Sequence, residues 1–337
     1  MANFLDSHED TKTEIVKPII SYQDFINFGT ASTTCWSVTA IENFGRYRQL
    51  PWLMLRDNNG YRRFFSFSNR NYLELPLPEA SGKSYFSLEG WLITLAEDKT
   101  MNLLHPLNQN RIMLPYLSQN YHQHSHVNLI KKAVLSSSPS WNSNYITMII
   151  VRFANRRMKH LAFARAGDNT WTMIAEKQPY IDVTYYQGRF YAITSSGVLV
   201  VCDAQGPNPT ETKLVTSFVY QMNDCFYIVV GSSRQLFVVK RNSQVFEVFK
   251  VNVSSIEAVK VRSLGDTALF LGFTTSLSIK ASRFDGCNAN CIYFVDDGKD
   301  LFVYNYLNGH IDKLSMDQHF DFDFDWPPLW VEVEPTC

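Results

Sequence analysis

A phrase of two short strands joined by a polar turn recurs along this chain and limits its possible folds more than any other feature. In each copy an aromatic-rich run is followed by a turn and then by a second apolar run. The clearest copies are GRFYAITSSGVLVVCD (188–203), DCFYIVVGSSRQLFVVKR (224–241), DTALFLGFTTSLSIKA (266–281) and NCIYFVDDGKDLFVYNY (290–306). Equivalent strands begin near residues 64, 91, 145, 190, 226, 269 and 292, or about every 38 residues. The pattern predicts a repeat architecture built from antiparallel sheets.

A repeat of this length is typical of the four-stranded blades of a β-propeller. Residues 51–337 would supply about 41 residues per blade for seven blades, or about 48 for six. The sequence therefore predicts a mainly β protein, a six- or seven-bladed propeller. Its strand-like ends, PWLML (51–55) and WVEVEP (330–335), are expected to pair and close the ring. An irregular β-sandwich is the alternative, but it does not explain the recurrent phrase.

The composition narrows the functional class. Aromatic residues make up 14% of the chain, and we expect them to pack between blades. The balance of 31 Lys and Arg against 32 Asp and Glu argues against a dedicated binder of nucleic acids or anionic membranes. No apolar run approaches the roughly 18 residues of a membrane helix, and the polar N-terminus does not read as a signal peptide. We therefore expect no membrane segment, no nucleic-acid partner and a cytoplasmic or nuclear location.

The N-terminal region differs in kind from the rest. Residues 1–13 are polar and are expected to be disordered. Residues 14–46 predict a short helical segment, because an apolar stripe at spacings of three and four follows a candidate N-cap at Asp24. Gly29 and the Thr-rich stretch after it make this a weak helix. We expect the segment to need a partner for stability.

The chain resembles the plant F-box proteins that carry a C-terminal F-box-associated propeller of the KIB type. The resemblance covers nearly the whole chain, and its order along the sequence makes it specific. The segments that carry it are PWLML (51–55), FSLEGWLITLAEDKTMNLLHPLNQNRIMLP (86–115), WTMI (171–174), YIDVTYYQGRFYAI (180–193), SSRQLFVVKR (232–241), VKVRSLGDTALFLG (259–272), CNANCIYFVDDG (287–298) and PPLW (327–330).

The N-terminal segment is similar to part of an F-box. DFINFGTASTTCWSVTA (24–40) matches the second half, whereas the opening Leu-Pro and the first apolar helix are missing or unrecognisable. The resemblance thus implies a partial, degenerate F-box within 14–46. It also implies contacts between a Skp-type adaptor and six residues: Ile19, Ile20, Phe25, Phe28, Cys35 and Trp36.

The function that the resemblance implies is substrate recognition in a Skp–cullin–F-box ubiquitin ligase. The propeller would hold an unknown target protein for ubiquitination, without enzymatic activity of its own and without a cofactor. Two alternatives stay open. The chain is an orphan propeller scaffold that no longer binds the adaptor, or a glycan-binding propeller that uses its aromatic side chains.

A small basic cluster, Arg156, Arg157 and Lys159 with His160 beside it, is a candidate patch for an acidic or phosphorylated partner. A charged hairpin loop is the simpler interpretation. The sequence shows no serine-hydrolase motif, phosphate-binding Gly-rich loop or zincin motif, so it gives an enzyme no support.

Three further groups have the residue types of a metal site but lack its full pattern. They are the alternating His122, His124 and His126, the acidic run DFDFDW (321–326), and the pair Cys287 and Cys291. The histidines and the acidic run are better explained as solvent-facing. The cysteines are better explained as reduced, buried thiols. We predict no metal.

Overall fold

A computed structural model describes much of the propeller region. The described residues are 50–58, 61–66, 71–76, 84–88, 91–96, 98–105, 110–117, 130–152, 159–174, 178–231, 234–272, 274–296, 300–314 and 329–331. The predicted tail (1–13), the predicted F-box-like segment (14–46) and all six predicted adaptor contacts lie outside this set.

The described residues form twenty-five β-strands in six sheets. In spatial order, the first sheet contains β25 (Leu329–Val331), β1 (Trp52–Asn58), β2 (Tyr61–Ser66) and β3 (Asn71–Pro76). The second contains β4 (Ser84–Leu88), β5 (Trp91–Leu95), β6 (Met101–Leu104) and β7 (Arg111–Leu114). The third contains β8 (Ile130–Leu135), β9 (Ile146–Arg152), β10 (Lys159–Arg165) and β11 (Thr172–Met173).

The remaining three sheets continue this order. The fourth contains β12 (Tyr180–Tyr186), β13 (Arg189–Thr194), β14 (Val198–Cys202) and β15 (Thr212–Ser217). The fifth contains β16 (Cys225–Val230), β17 (Leu236–Asn242), β18 (Val245–Asn252) and β19 (Glu257–Lys260). The sixth contains β21 (Leu277–Lys280), β20 (Thr267–Leu271), β22 (Cys291–Asp296), β23 (Asp300–Asn305) and β24 (Ile311–Leu314), with a 3-10 helix at Ala281–Arg283.

One edge strand of each sheet lies at the centre of the ring. Contacts between neighbouring sheets join β25 to β4, β4 to β8, β8 to β12, β12 to β16 and β16 to β21. The architecture is therefore a six-bladed β-propeller, which confirms the predicted fold class and decides between six and seven blades.

The ring closes where the sequence predicts. β25 pairs antiparallel with β1, with Leu53 opposite Trp330. Trp330 is fully buried, and its Nε1 donates a hydrogen bond to the carbonyl oxygen of Leu271 in the sixth sheet, 3.0 Å away. A Cβ atom at Gly272 would lie 2.9 Å from Cδ1 of this indole, so the close approach requires glycine. The last strand thus joins the first sheet by backbone pairing and the sixth sheet by its indole.

The sixth sheet explains why the repeat count exceeds the blade count. The two sequence markers near 269 and 292 fall on β20 and β22, which are parallel neighbours in one sheet. The chain enters at β20, turns back into the innermost strand β21, and returns through the 3-10 helix to β22. One blade therefore contains two copies of the recurrent phrase.

Aromatic side chains fill the gaps between sheets, as the composition predicts. Phe246 of the fifth sheet contacts Phe294 of the sixth, with ring centroids 4.9 Å apart. Polar ends of aromatic residues also join sheets: Nε1 of Trp171 donates to the carbonyl oxygen of Pro115 at 2.9 Å, and the Tyr306 hydroxyl donates to that of Val261 at the same distance. The interfaces thus combine apolar burial with satisfied polar groups.

Candidate partner-binding face

The innermost strands β8, β12 and β16 begin at the same side of the ring, and one buried carboxylate connects them. Asp182, the third residue of β12, pairs with Lys132, the third residue of β8, and both side chains are about 5% exposed. The other oxygen, Oδ2, accepts a hydrogen bond from the backbone N–H of Ile228 in β16 at 2.7 Å. One carboxylate thus connects the third, fourth and fifth sheets. We call this side of the ring the entry face.

The third sheet brings basic side chains to the entry face. Arg152 ends β9 and lies directly opposite Lys159, which begins β10. Lys131 lies beside them at an irregularity in the pairing of β8 with β9. Burial is the main cause that lowers the pKa of Lys131 to about 8, and the charge of Lys159 lowers it further. Burial, followed by the charge of Arg152, also lowers the pKa of Lys159. We call Lys131, Arg152 and Lys159 the basic end of the third sheet.

The fifth sheet adds a thiol and a phenol to the same face. Cys225, the exposed first residue of β16, is a free cysteine that interacts electrostatically with both Lys131 and Lys159. Burial raises the pKa of nearby Tyr227 to about 12, so this phenol stays protonated at neutral pH. Arg241, opposite Cys225 in β17, forms an ion pair with Asp296 of the sixth sheet.

A loop held by several hydrogen bonds, residues 218–224, leads into β16 at the entry face. The Asp224 carboxylate accepts hydrogen bonds from the backbone N–H of Gln221 at 2.6 Å and from Nδ2 of Asn242 at 2.7 Å. Its Oδ2 also lies 3.1 Å from Nζ of Lys240. Burial alone would raise the pKa of Asp224, but these hydrogen bonds and the lysine charge together lower it below its usual value. The carboxylate therefore stays ionised and holds the loop in place at neutral pH.

This loop presents apolar side chains to solvent. Val219 is 80% exposed and Met222 is 83% exposed, with half-exposed Tyr220 between them. Lys240 donates to the carbonyl oxygen of Val219 at 3.0 Å, which fixes the backbone beneath this side chain. Apolar side chains on a fixed backbone are suited to contact a partner, because the loop loses little backbone entropy on binding.

The sequence-predicted site residues are only partly placed. Of the basic cluster, Lys159 lies at the entry face and His160 is buried next to it, whereas Arg156 and Arg157 fall outside the described residues. His122, His124 and His126 and the acidic run 321–326 also fall outside them. Cys287 and Cys291 are free thiols, and burial raises the pKa of both, that of Cys287 to about 12.

The described part of the chain lacks two kinds of feature. It contains no group of three or more His, Cys, Asp or Glu side chains arranged to hold a metal ion. It also contains no helix of the length and apolar character needed to cross a membrane.

Sequence reasoning missed Lys131 and Arg152 in the basic end of the third sheet, and it missed Asp182. Lys131 and Asp182 are far apart in the chain, and only the ring brings β8 next to β12. Arg152 carried a local signal, because it ends an apolar strand four residues before Arg156. A basic residue at this position predicts a basic cluster larger than Arg156, Arg157 and Lys159 alone.

Comparison with known proteins agrees with the fold. A family model described as the KIB1-4 beta-propeller matches residues 64–305, most of the chain. The chain belongs to this family. This confirms the resemblance to plant F-box proteins with a KIB-type propeller.

Several relatives of this KIB1-4 propeller come from Arabidopsis thaliana and are named as F-box proteins. F-box protein KIB4 is 23% identical over 352 aligned positions, which cover 86% of this chain and 84% of that protein. F-box protein SKIP23 is 26% identical over 209 positions, covering 51% of each. With two other F-box relatives the chain spans only about half of their length, 49% and 41%.

Solved structures match this chain at low similarity only. The β-propeller domain of Cps50 (Swd1) from Myceliophteria thermophila has a TM-score of 0.43 and 9% identity, covering 80% of this chain and 90% of that one.

Proposed function

We propose that this KIB1-4 propeller is the substrate-recognition subunit of a Skp–cullin–F-box ubiquitin ligase. The observation that carries the proposal is the alignment with F-box protein KIB4, which extends over 86% of the chain. A rigid ring with a basic, partly apolar entry face is also suited to hold a protein segment. The proposal includes a cytoplasmic or nuclear location.

The proposed mechanism is positioning without covalent chemistry by this chain. The propeller would hold the target while the N-terminal segment docks on a Skp-type adaptor, so that a target lysine stays close to the ubiquitin-loaded partner. Holding two reactants together in this way raises their effective concentration, by an amount that depends on how well the assembly fits the span. The six predicted adaptor contacts within 14–46 remain part of this proposal.

Co-purification with a Skp-type adaptor tests the proposal. The full chain is expected to bind the adaptor, and Phe28→Ala combined with Trp36→Ala is expected to weaken binding at least about 30-fold, because truncated aromatic anchors cost about 2 kcal/mol or more. The matched control is Trp141→Ala combined with Leu214→Ala. These two large apolar residues are 58% and 65% exposed on the propeller, and their truncation should leave adaptor binding unchanged.

Two results would contradict the proposal. If the full chain binds no Skp-type adaptor, it is an orphan propeller scaffold. If the Phe28 and Trp36 variant binds as well as the unchanged chain, the adaptor contacts lie elsewhere and the residues of the partial F-box are wrongly assigned.

A further inference from the structure

Two like charges face each other at the entry face. Arg152 and Lys159 are direct cross-strand partners at the loop end of the β9–β10 hairpin. Opposed like charges destabilise a sheet, because their Cβ atoms are only about 5 Å apart. The connecting residues 153–158 add Arg156 and Arg157 and contain no acidic residue. The hairpin therefore concentrates positive charge that its own sequence does not neutralise.

Three described carboxylates of the entry face are each in an ion pair with a cation outside this hairpin, and the charge of one of them, Asp182, also acts on Lys131. Asp182 pairs with Lys132. Asp224 pairs with Lys240, and Asp296 pairs with Arg241. In the described part of the chain, none of these carboxylates forms an ion pair with Arg152 or Lys159. An anion from another molecule would stabilise this arrangement.

We propose that the basic end of the third sheet binds a phosphorylated serine or threonine in an extended segment of the target protein. This inference rests on the proposed function, since it names how the target would be recognised. Lys131, Arg152 and Lys159 would contact the phosphate oxygens through charge-assisted hydrogen bonds. The phosphate would relieve the repulsion between the two cross-strand cations.

A phosphate fits this cluster better than a carboxylate. A phosphomonoester carries a charge of about −1.5 to −2 on one group at neutral pH, whereas a carboxylate carries one charge. Successive side chains of an extended segment point to opposite sides, so two neighbouring carboxylates cannot both face the same cations. Several cations gathered at one sheet end therefore match a single dianion.

The loop of residues 218–224 supplies the apolar part of the same site. Residues 218–224 lead directly into Cys225, which interacts electrostatically with Lys131 and Lys159. The exposed side chains of Val219 and Met222 thus belong to the loop that ends at Cys225, on the same face as the cationic cluster. We expect a preference for an apolar residue close to the phosphorylated one.

Binding of degenerate peptide pools to the full chain tests the proposal without any adaptor. Three fluorescent pools share random flanks and differ at the central position, which is phosphoserine, serine or glutamate. Fluorescence anisotropy should show the phosphoserine pool binding at least about 10-fold more tightly than either other pool. Enrichment and sequencing of the bound phosphoserine peptides should recover apolar flanking residues.

Variants that reverse the charge of the cluster provide the second test of the proposal. Arg152→Glu combined with Lys159→Glu should weaken binding of the phosphoserine pool at least about 10-fold. The matched control, Lys213→Glu combined with Lys250→Glu, changes two exposed lysines on β15 and β18 and should stay within about twofold. Thermal unfolding of each variant verifies that the ring is intact, and Arg152→Gln combined with Lys159→Gln provides a milder version if the reversal unfolds it.

The outcomes separate this site from the ligase role. Equal binding of the phosphoserine and serine pools, or unchanged binding after charge removal, would overturn the site. Equal binding of the glutamate pool, or tighter binding of a single-stranded RNA, would overturn the phosphate assignment. Phosphopeptide binding by a chain that fails to bind the adaptor would retain the site and refute only the ligase function.

Discussion

Removing one half of the Lys132–Asp182 ion pair should destabilise the propeller more than removing both halves. Both side chains are almost fully buried, at 6% and 5% exposure, so the surviving charge of a single variant cannot be solvated. Breaking a buried pair in this way costs about 3–5 kcal/mol. We expect that loss in the free energy of unfolding for Lys132→Met.

The second substitution should restore part of this loss. The Asp182 carboxylate also accepts a hydrogen bond from the backbone N–H of Val183 at 2.7 Å. Lys132→Met combined with Asp182→Asn removes both charges and keeps one amide oxygen as an acceptor, so about one of the two N–H groups, of Val183 or Ile228, loses its partner. An unsatisfied buried N–H costs about 1–3 kcal/mol. The double variant should therefore be about 2 kcal/mol more stable than Lys132→Met alone, although it carries one more substitution.

Equilibrium urea unfolding followed by tryptophan fluorescence measures these differences. The exposed pair of Lys313 and Asp300, 2.9 Å apart with side chains 57% and 43% exposed, provides the control. Lys313→Met should change stability by only about 0–1 kcal/mol. A double variant at 132 and 182 that is less stable than both single variants would refute the argument, because it would mean that the charges are solvated in the folded ring.

Two further predictions follow from the closure of the ring and from the basic end of the third sheet. Trp330→Ala should cost about 3–5 kcal/mol in urea unfolding, because it empties a fully buried site and removes the donor to Leu271; a loss below about 1 kcal/mol would show that β25 does not hold the ring. Lys131 has a folded pKa of about 8 against 10.5 for the free side chain, so the unfolded state binds more protons between these values and stability should rise with pH there. Lys131→Met should reduce that rise in unfolding experiments between pH 8 and 9.5, and an identical pH profile would contradict the burial of this ammonium.

The sequence allowed the ring and its closure to be predicted, because both follow from local patterns. PWLML and the strand around Trp330 read as strands, and the structure pairs them. The number of blades could not be predicted from the sequence. The hairpin that begins at β20 has the same pattern of apolar strands and polar turn as a hairpin that begins a blade. Only the parallel pairing of β20 with β22 places both markers in one sheet.

The entry face was less accessible to sequence reasoning. Lys159 stood out because it follows Arg156 and Arg157. Lys131 and Asp182 looked like ordinary strand residues, since nothing in the sequence around them shows that β8 and β12 are neighbours. Long-range contacts of this kind depend on the closed ring, and a single sequence does not encode them in any local pattern.

Strand β1 gains its closing partner, β25, only late in synthesis of the chain. About 270 residues separate the end of β1 from the start of β25, and a ribosome adds about 5–20 residues per second. β1 therefore waits roughly 15–55 seconds for its partner, with an edge that other strands can pair with. We expect nascent chains of this protein to depend on chaperones that cover this edge until the last blade emerges.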